Sequence, residues 1–361
     1  MNKTKELSPV EIGQSLQFFK QIILNELRKG NSISSIDQVY QHLSTNAPFD
    51  ILKPNWPEIK DWWNNLIELI YMENVGDCEE ISISACGTIF TKKQNTWDQN
   101  SEKIEPIDAT ICSYYLQNFY HEDINLKTPF KSFTGVKNDL SYRFSIQLVK
   151  IRPIPLMKIF IRINRKNIFP LTQFGINLKT FDHVLEGNII ISGATGSGKT
   201  TFLKSILATE KLNNHHLIIE DLNEIGNIST NSTQLCSSDI GQEMKTLLTN
   251  GLRMSPNKII LGEIRGPEVL PYMMALNSGH EGSLATIHAN SAVETIYRIC
   301  ELLQIFGNFG DNSFSQLMRL VSRNIRYVIY LENKLVKEII KVQGSSDKGT
   351  PYFEKMPLLS F

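Results

Sequence analysis

Nowhere in the 361 residues is there an apolar run approaching the roughly 20 that a membrane-crossing helix needs. The opening stretch MNKTKELSPVEIG also lacks the apolar core of a signal peptide. Both absences argue against direct membrane insertion and for a cytosolic protein. An excess of charge is missing too: 37 Lys and Arg balance 37 Asp and Glu, so no net field draws the molecule to nucleic acid or an anionic bilayer. Cysteine is scarce and scattered. Cys78, Cys86, Cys112, Cys236 and Cys300 include no CxxC pair, which excludes the usual zinc and disulfide frameworks and predicts small buried thiols. Internal repeats and low-complexity tracts are absent as well.

What is present fits two domains with an appendage. In SPVE, Ser8 caps, Pro9 takes the first helical position and Glu11 stands three residues after the cap, so a helix is predicted to start there. Leu16, Phe19, Ile23 and Leu27 continue it at helical spacing. With SSIDQVYQHL and PEIKDWWNNLIELIY, this predicts a helical appendage over residues 1–71, with Trp62 and Trp63 in its core. Residues 72–168 read as a smaller α+β domain, with strands at EEISISACGTIFTKK and YRFSIQLVKIR and a helix near ICSYYLQNFY. A linker is expected over 169–180. Over 181–361, strand-like runs (GNIIIS, HHLIIE, NKIILG, GSLATIH) alternate with helical stretches, which predicts an α/β domain with a helix-covered parallel sheet. RYVIYLENKLVKEIIKV predicts a closing hairpin with Asn333 and Lys334 near its turn.

Between the strand NIII and the helix TTFLKSIL lies GATGSGKT, in which Gly193, Gly198, Lys199 and Thr200 complete GxxxxGK[ST]. Such a loop turns its backbone N–H groups toward phosphate oxygens, and the following helix adds the positive end of its dipole. Gly193, Ala194, Thr195, Gly196, Ser197, Gly198, Lys199, Thr200 and Thr201 are therefore the candidate ATP-binding residues. Lys199 is expected to reach the β- and γ-phosphates and the Thr200 hydroxyl to ligate Mg²⁺. Leu203, Ile206 and Leu207 are the helix face against the sheet.

Phosphate cleavage also needs groups that orient water and assist the metal, projecting from the carboxyl ends of neighbouring strands. The strand in NKIILGEIRG is followed at once by Glu263, the expected catalytic carboxylate. HHLIIEDLNE ends in Glu220, Asp221 and Glu224. Glu220 and Glu263 are expected to join Thr200 at Mg²⁺, partly through water. His280 and His288 bracket a further strand in SGHEGSLATIHANS and are candidate sensors of the γ-phosphate.

Taken in this order, GATGSGKTT, LIIEDLNE, GLRMSPNKIILGEIRG and SGHEGSLATIHANS resemble the Walker A, Asp-box, Walker B and His-box stretches of the secretion-superfamily ATPases of type II and type IV secretion systems and type IV pili. GEIRGPEVLPYMMALNSGHEGSLATIHANS is most similar to the Tad/Flp pilus and type IV secretion branch. The strong likeness covers roughly residues 186–305. It implies a homo-hexameric ring of RecA-like P-loop domains that hydrolyses ATP with Mg²⁺, at the cytoplasmic side of the inner membrane. Its expected partners are platform or secretion-channel proteins. GTIFTKKQNTW and YRFSIQ resemble the family's amino-terminal domain faintly, which makes Arg143 and Arg162 candidates for contact with the γ-phosphate. In RMSPNK, Asn257 stands where the family often has an acid. Two rival readings are a RecA-like DNA motor, for which no basic or aromatic strand-binding loop is evident, and a ring that binds ATP without hydrolysis, against which Lys199 and Glu263 stand.

Overall fold

A computed structural model describes residues 9–358 except 34, 45–54, 74–77, 94–95, 139, 151–155, 165–167, 177–180, 182, 210–213, 227–230, 308 and 310–313. The capping Ser8 and residues 177–180 of the expected linker lie outside the described residues. The chain divides into two compact units, Met1–Arg165 and Lys166–Phe361. Among the described residues, no helix is long and apolar enough to cross a membrane.

In the first unit, helices α1 (Pro9–Arg28), α2 (Ile36–Ser44) and α3 (Trp56–Ile70) precede strands β1 (Glu80–Ile83), β2 (Thr88–Lys93) and β3 (Thr96–Lys103). Helix α4 (Pro106–Phe119) and strands β4 (Phe130–Lys137), β5 (Leu140–Lys150) and β6 (Leu156–Asn164) complete it. The strands form one sheet in the order β3-β2-β1-β6-β5-β4. Phe19, Ile23, Leu24 and Leu27 of α1 are buried with Ile59, Trp63 and Leu66 of α3 in the core that also takes Ile81, Phe144, Ile146, Ile159 and Ile161 from the sheet. The amino-terminal helices thus share the hydrophobic core of the strands that follow them. A buried lysine fixes this packing: the Lys20 ammonium of α1 lies 2.9 Å from the buried Asp108 and 3.0 Å from the half-exposed Glu105. The Trp62 indole N–H donates to the same Asp108 carboxylate at 3.1 Å.

Side chains alternate across strands, so the residues between the core positions share the sheet's other face. There Arg143 of β5 stands directly opposite Arg162 of β6, and Arg162 stands opposite Glu80 of β1. Four of the five cysteines are buried free thiols. Cys86 departs from expectation and is exposed. It sits in the tight turn between β1 and β2, where Gly87 has φ +85° and the side chain has no core to enter.

The second unit is built on an eight-stranded sheet of order β14-β13-β12-β7-β11-β10-β8-β9. Its strands are β7 (Ile189–Gly193), β8 (His216–Glu220), β9 (Ser232–Cys236), β10 (Lys258–Ile264), β11 (Leu284–Ile287), β12 (Tyr327–Glu332), β13 (Leu335–Ser345) and β14 (Pro351–Lys355). From β12 to β9 every neighbouring pair is parallel. The β12–β13–β14 edge is antiparallel. The hairpin expected at Asn333 and Lys334 is therefore present, extended by a third strand.

Parallel strands need both faces covered, and the apolar runs IIIS and HLIIE supply side chains to both. Ile189, Ile191, Ile218 and Ile260 face a core with Phe202, Leu203 and Ile206 of helix α5 (Lys199–Thr209). Their sequence neighbours Ile190, Leu217, Ile219, Ile259 and Leu261 face the opposite core. Helices α6 (Met244–Gly251), α7 (Val269–Leu276), α8 (Ala292–Phe306) and α9 (Phe314–Asn324) cover that second face. This layering brings the carboxyl ends of β7, β10, β11 and β8 to one edge of the unit.

Candidate nucleotide site

At that edge β7 ends on Gly193, where φ is +152° and an added Cβ would lie 2.3 Å from the Leu331 carbonyl oxygen. A side chain there would wedge β7 away from β12, so only glycine lets the chain leave the strand at this point. Gly196 and Gly198, with φ of +77° and +94°, complete the turn into α5. The Lys199 side chain curls back over the loop, its ammonium 3.0 Å from the Gly193 oxygen and 2.9 Å from the Ala194 oxygen. The Ser197 hydroxyl is buried in the loop without a hydrogen-bond partner. A cavity of about 580 Å³ opens beside Ala194, Thr195 and His288.

The ends of β11, β10 and β8 bring a linked set of polar side chains up to this lysine. His288, immediately after β11, places Nδ1 3.2 Å from the Lys199 ammonium. Its Nε2 lies 2.9 Å from Oε1 of Glu263. The alignment of that second contact falls short of a hydrogen bond, so Oε1 is a buried acceptor with an unused lone pair. Arg265 holds the other carboxylate oxygen at 2.7 Å and approaches Asp221 at 3.5 Å. Lys199, His288, Glu263, Arg265 and Asp221 thus form one polar chain across the ends of β7, β11, β10 and β8.

A bulge aims Glu263 into it. Strand β10 pairs Leu261 with Ala285 and then Ile264 with Ile287, so β10 spends one more residue than β11 at Gly262 and Glu263. Bulges of this kind re-aim side chains beside sites. The Thr286 hydroxyl donates to the Gly262 carbonyl at 2.6 Å and pins the irregularity.

Electrostatics fix the protonation states. Burial pushes the Glu263 carboxyl up, but the Arg265 hydrogen bond and charge, with His288 and Lys199, outweigh it and hold the group below its usual range. Burial and the Lys199 charge push His288 below the usual imidazole value, against the pull of Glu263. At neutral pH the arrangement is therefore an ionised carboxylate beside a neutral imidazole. A neutral ring that accepts from Lys199 at Nδ1 carries its proton on Nε2, on the Glu263 side.

Glu220 is built differently. Its Oε1 accepts the backbone N–H groups of Glu224 and Ile225 at 3.0 and 2.8 Å, and its Oε2 accepts from Gln234 at 2.8 Å. Only 2% exposed, it closes the turn after β8. Burial drives its pKa up to about 7 despite these donors. The folded state therefore holds the Glu220 proton more tightly than the unfolded chain, whose carboxyl titrates near 4.5. The stability this confers is full below pH 4.5 and is lost as the pH rises through about 7. The Gln234 amide can turn to accept the added proton. Thermal melts should show Glu220→Gln flattening the pH dependence between those limits, while Glu220→Ala, which strands two backbone donors, costs about 2–3 kcal/mol.

The two histidines part company. His280 precedes β11, at the opposite end of the strand from His288, and its Nδ1 lies 3.0 Å from the Pro256 carbonyl oxygen. Asn257, in the adjoining turn, accepts the His215 N–H at 2.8 Å. Arg143 and Arg162 belong to the first unit. Arg162 Nε lies 3.9 Å from Glu80, whose carboxylate also takes Lys92 at 3.2 Å.

Arg265 escapes the motif-based reading, although its position two residues beyond Glu263 puts both side chains on one side of an extended strand.

The loop, its orphaned Ser197 hydroxyl and the buried ammonium suit a polyphosphate. Among the described residues no group of three or more His, Cys, Asp or Glu side chains forms a dedicated metal cage. Mg²⁺ would need no such cage, since it keeps waters and binds through one or two protein oxygens and the phosphates. Thr200, second in α5, and Glu263 are the oxygen donors at hand. Bound here, ATP with Mg²⁺ would supply the cleavable γ-phosphoryl group and the cation that neutralises its oxygens.

Parallel sheet, glycine loop and charged strand ends together define a P-loop nucleotide-binding domain of the RecA-like class. Residues 143–335, over half of the chain, match the family described as Type II/IV secretion system protein, and the chain belongs to that family. It is 32% identical over 164 residues to the conjugal transfer protein TrbB of Rhizobium radiobacter, covering 44% of this chain and 49% of that protein. To the type IV secretion system protein VirB11 of Bartonella quintana (strain Toulouse) it is 36% identical over 129 residues, covering 34% of this chain and 36% of that protein. The matches thus span half or less of the length of these relatives. Among solved structures, the X-ray structure of the Legionella pneumophila ATPase DotB aligns with TM-score 0.56 at 19% identity, covering 81% of this chain and 79% of that one. The pilus retraction motor PilT with bound ADP aligns with TM-score 0.53 at 18% identity, covering 80% and 81%. Both likenesses concern the fold.

Proposed function

We propose that the protein is a Mg²⁺-dependent ATP hydrolase, working as a homo-hexameric ring that powers type IV secretion or assembly of a Tad/Flp-like pilus. The observation that carries the reading is the unsatisfied Glu263 oxygen, held beside neutral His288 and one ring away from the P-loop lysine. An ionised carboxylate with a free lone pair can take a proton from water. Arg265 fixes its other oxygen, so the carboxylate cannot rotate away. His288 touches both Lys199 and Glu263, and so passes a shift of the ammonium on to the base. Relatives of this chain named for conjugal transfer and type IV secretion support the export side of the reading. Inner-membrane platform or channel proteins are the partners it calls for. Phosphate release from ATP by the purified chain, with light scattering of the assembly, tests it. Tight ATP binding without phosphate release would mark a structural ring, and a monomer with full activity would remove the hexamer.

Arg143 and Arg162 complete the proposal as guanidinium donors to the γ-phosphate of a neighbouring subunit. A guanidinium stays charged and can hold phosphate oxygens through two parallel hydrogen bonds. Arg143 and Arg162 stand directly opposite each other in the sheet, with Glu80 3.9 Å from Arg162, so the two guanidiniums share one sheet face away from the unit's core. Mixing Arg162→Ala subunits with Glu263→Gln subunits should restore, in some interfaces, activity that neither parent has. Silence of verified mixed rings, for Arg143→Ala as for Arg162→Ala, would rule out action between subunits.

A further inference from the structure

The P-loop is held from its far side by a turn that lies 135 residues along the chain. Strands β12 and β13 are joined by Asn333 and Lys334, whose φ values of +50° and +64° make a left-handed two-residue turn. Neither residue is glycine, so the backbone conformation is adopted at a cost. Leu331, at the end of β12, pairs with Gly193, the first glycine of the loop. The Lys334 N–H then donates to the Ser197 carbonyl at 3.2 Å. An added Cβ on Gly198, the last glycine, would meet Lys334 Cα at 3.5 Å and its Cβ and Cγ at 3.7 Å. The hairpin tip therefore runs along the loop from its first glycine to its last, and the aliphatic stem of Lys334 lies over the entry to α5.

We propose that Lys334 is a second phosphate-directed lysine of this site, supplied by the hairpin. The inference rests on the nucleotide reading given above. From its Cγ the ammonium reaches about 4 Å further, which covers the region that the first N–H groups of α5 address. Lys199 comes from inside the loop and is committed to the Gly193 and Ala194 carbonyls and His288. Lys334 stands instead at Gly198, the glycine that leads into α5, while the His288 and Glu263 side of the site is taken by Lys199. Its ligand class is thus a nucleoside di- or triphosphate, gripped through phosphates that both share. Because the same residue's N–H holds Ser197, side-chain engagement would tighten the hairpin against the loop.

Lys334→Gly separates the charge from the turn. Glycine adopts the observed φ without strain, so the fold and its melting temperature should be kept while the ammonium is lost. With fluorescent ADP and ATP and Mg²⁺ on the full chain, Lys334→Gly should weaken both by a similar factor, about 5- to 10-fold. Lys334→Arg should restore most of the affinity, and the wild-type advantage should shrink as salt is raised. Wild-type affinity in Lys334→Gly, or no rescue by arginine, overturns the inference. Lys199→Ala in the same assay keeps the two readings apart. If it binds nucleotide normally, the site itself is misread; if it loses binding while Lys334→Gly does not, only the role of Lys334 falls.

Discussion

Replacing Glu263 with glutamine is expected to lower the turnover of ATP by roughly 10²–10³-fold while ATP still binds. The amide keeps the shape of the side chain and can still accept from Arg265 through its oxygen. What it loses is the capacity to take a proton at the atom now occupied by Oε1, the buried oxygen with no aligned donor. Binding should change little, because the phosphate loop contacts none of the atoms replaced and Thr200 still offers its oxygen to Mg²⁺. The measurement is single-turnover hydrolysis alongside nucleotide affinity. Turnover within a few-fold of wild type would remove Glu263 from the chemistry. A matching fall in affinity would instead make it a binding residue.

The parts of this site that follow from spacing were legible in the sequence, and those that depend on where a side chain finds its partner were not. Gly193 through Thr201 could be read because a strand, a glycine turn and a helix start are local features. Glu263 and His288 could be placed because each follows the apolar stretch of its strand, Glu263 still within β10 and His288 just beyond β11, and parallel strands align such ends at one edge. The same rule applied to Glu220 and gave only its place. Its carboxylate is taken by the amides of Glu224 and Ile225 and by Gln234, a closure that no pattern of residue types announces. His280 looked equivalent to His288 because both flank β11, but a strand has two ends and only one faces the loop. Lys334 was visible as a turn residue; that the turn abuts Gly198 is a fact of the β7–β12 pairing. In the first unit, helical periodicity revealed α1 but not its anchorage, since Lys20 meets Glu105 and Asp108 across 85 or more positions of sequence.

Lys199→Ala is expected to weaken ATP and ADP by about 100-fold or more, the loss of a buried, charge-assisted contact to phosphate. It also makes a prediction about a different residue. In the wild-type protein, burial and the adjacent ammonium both push His288 below the ordinary imidazole value of 6.5, while Glu263 pulls it up. Removing the ammonium leaves Glu263 as the dominant charge, so the His288 pKa should rise. NMR titration of the imidazole in the nucleotide-free protein reads this directly and does not depend on binding. The acid limb of wild-type hydrolysis should accordingly fall below pH 6.5, because above it the ring stays neutral and keeps its Nδ1 lone pair for Lys199. A protonated ring would place a second cation 3.2 Å from the ammonium and release that contact. Should His288 titrate alike with and without Lys199, the two groups are not coupled in solution, and the proposed passage of a phosphate-linked shift from the loop to Glu263 loses its first step.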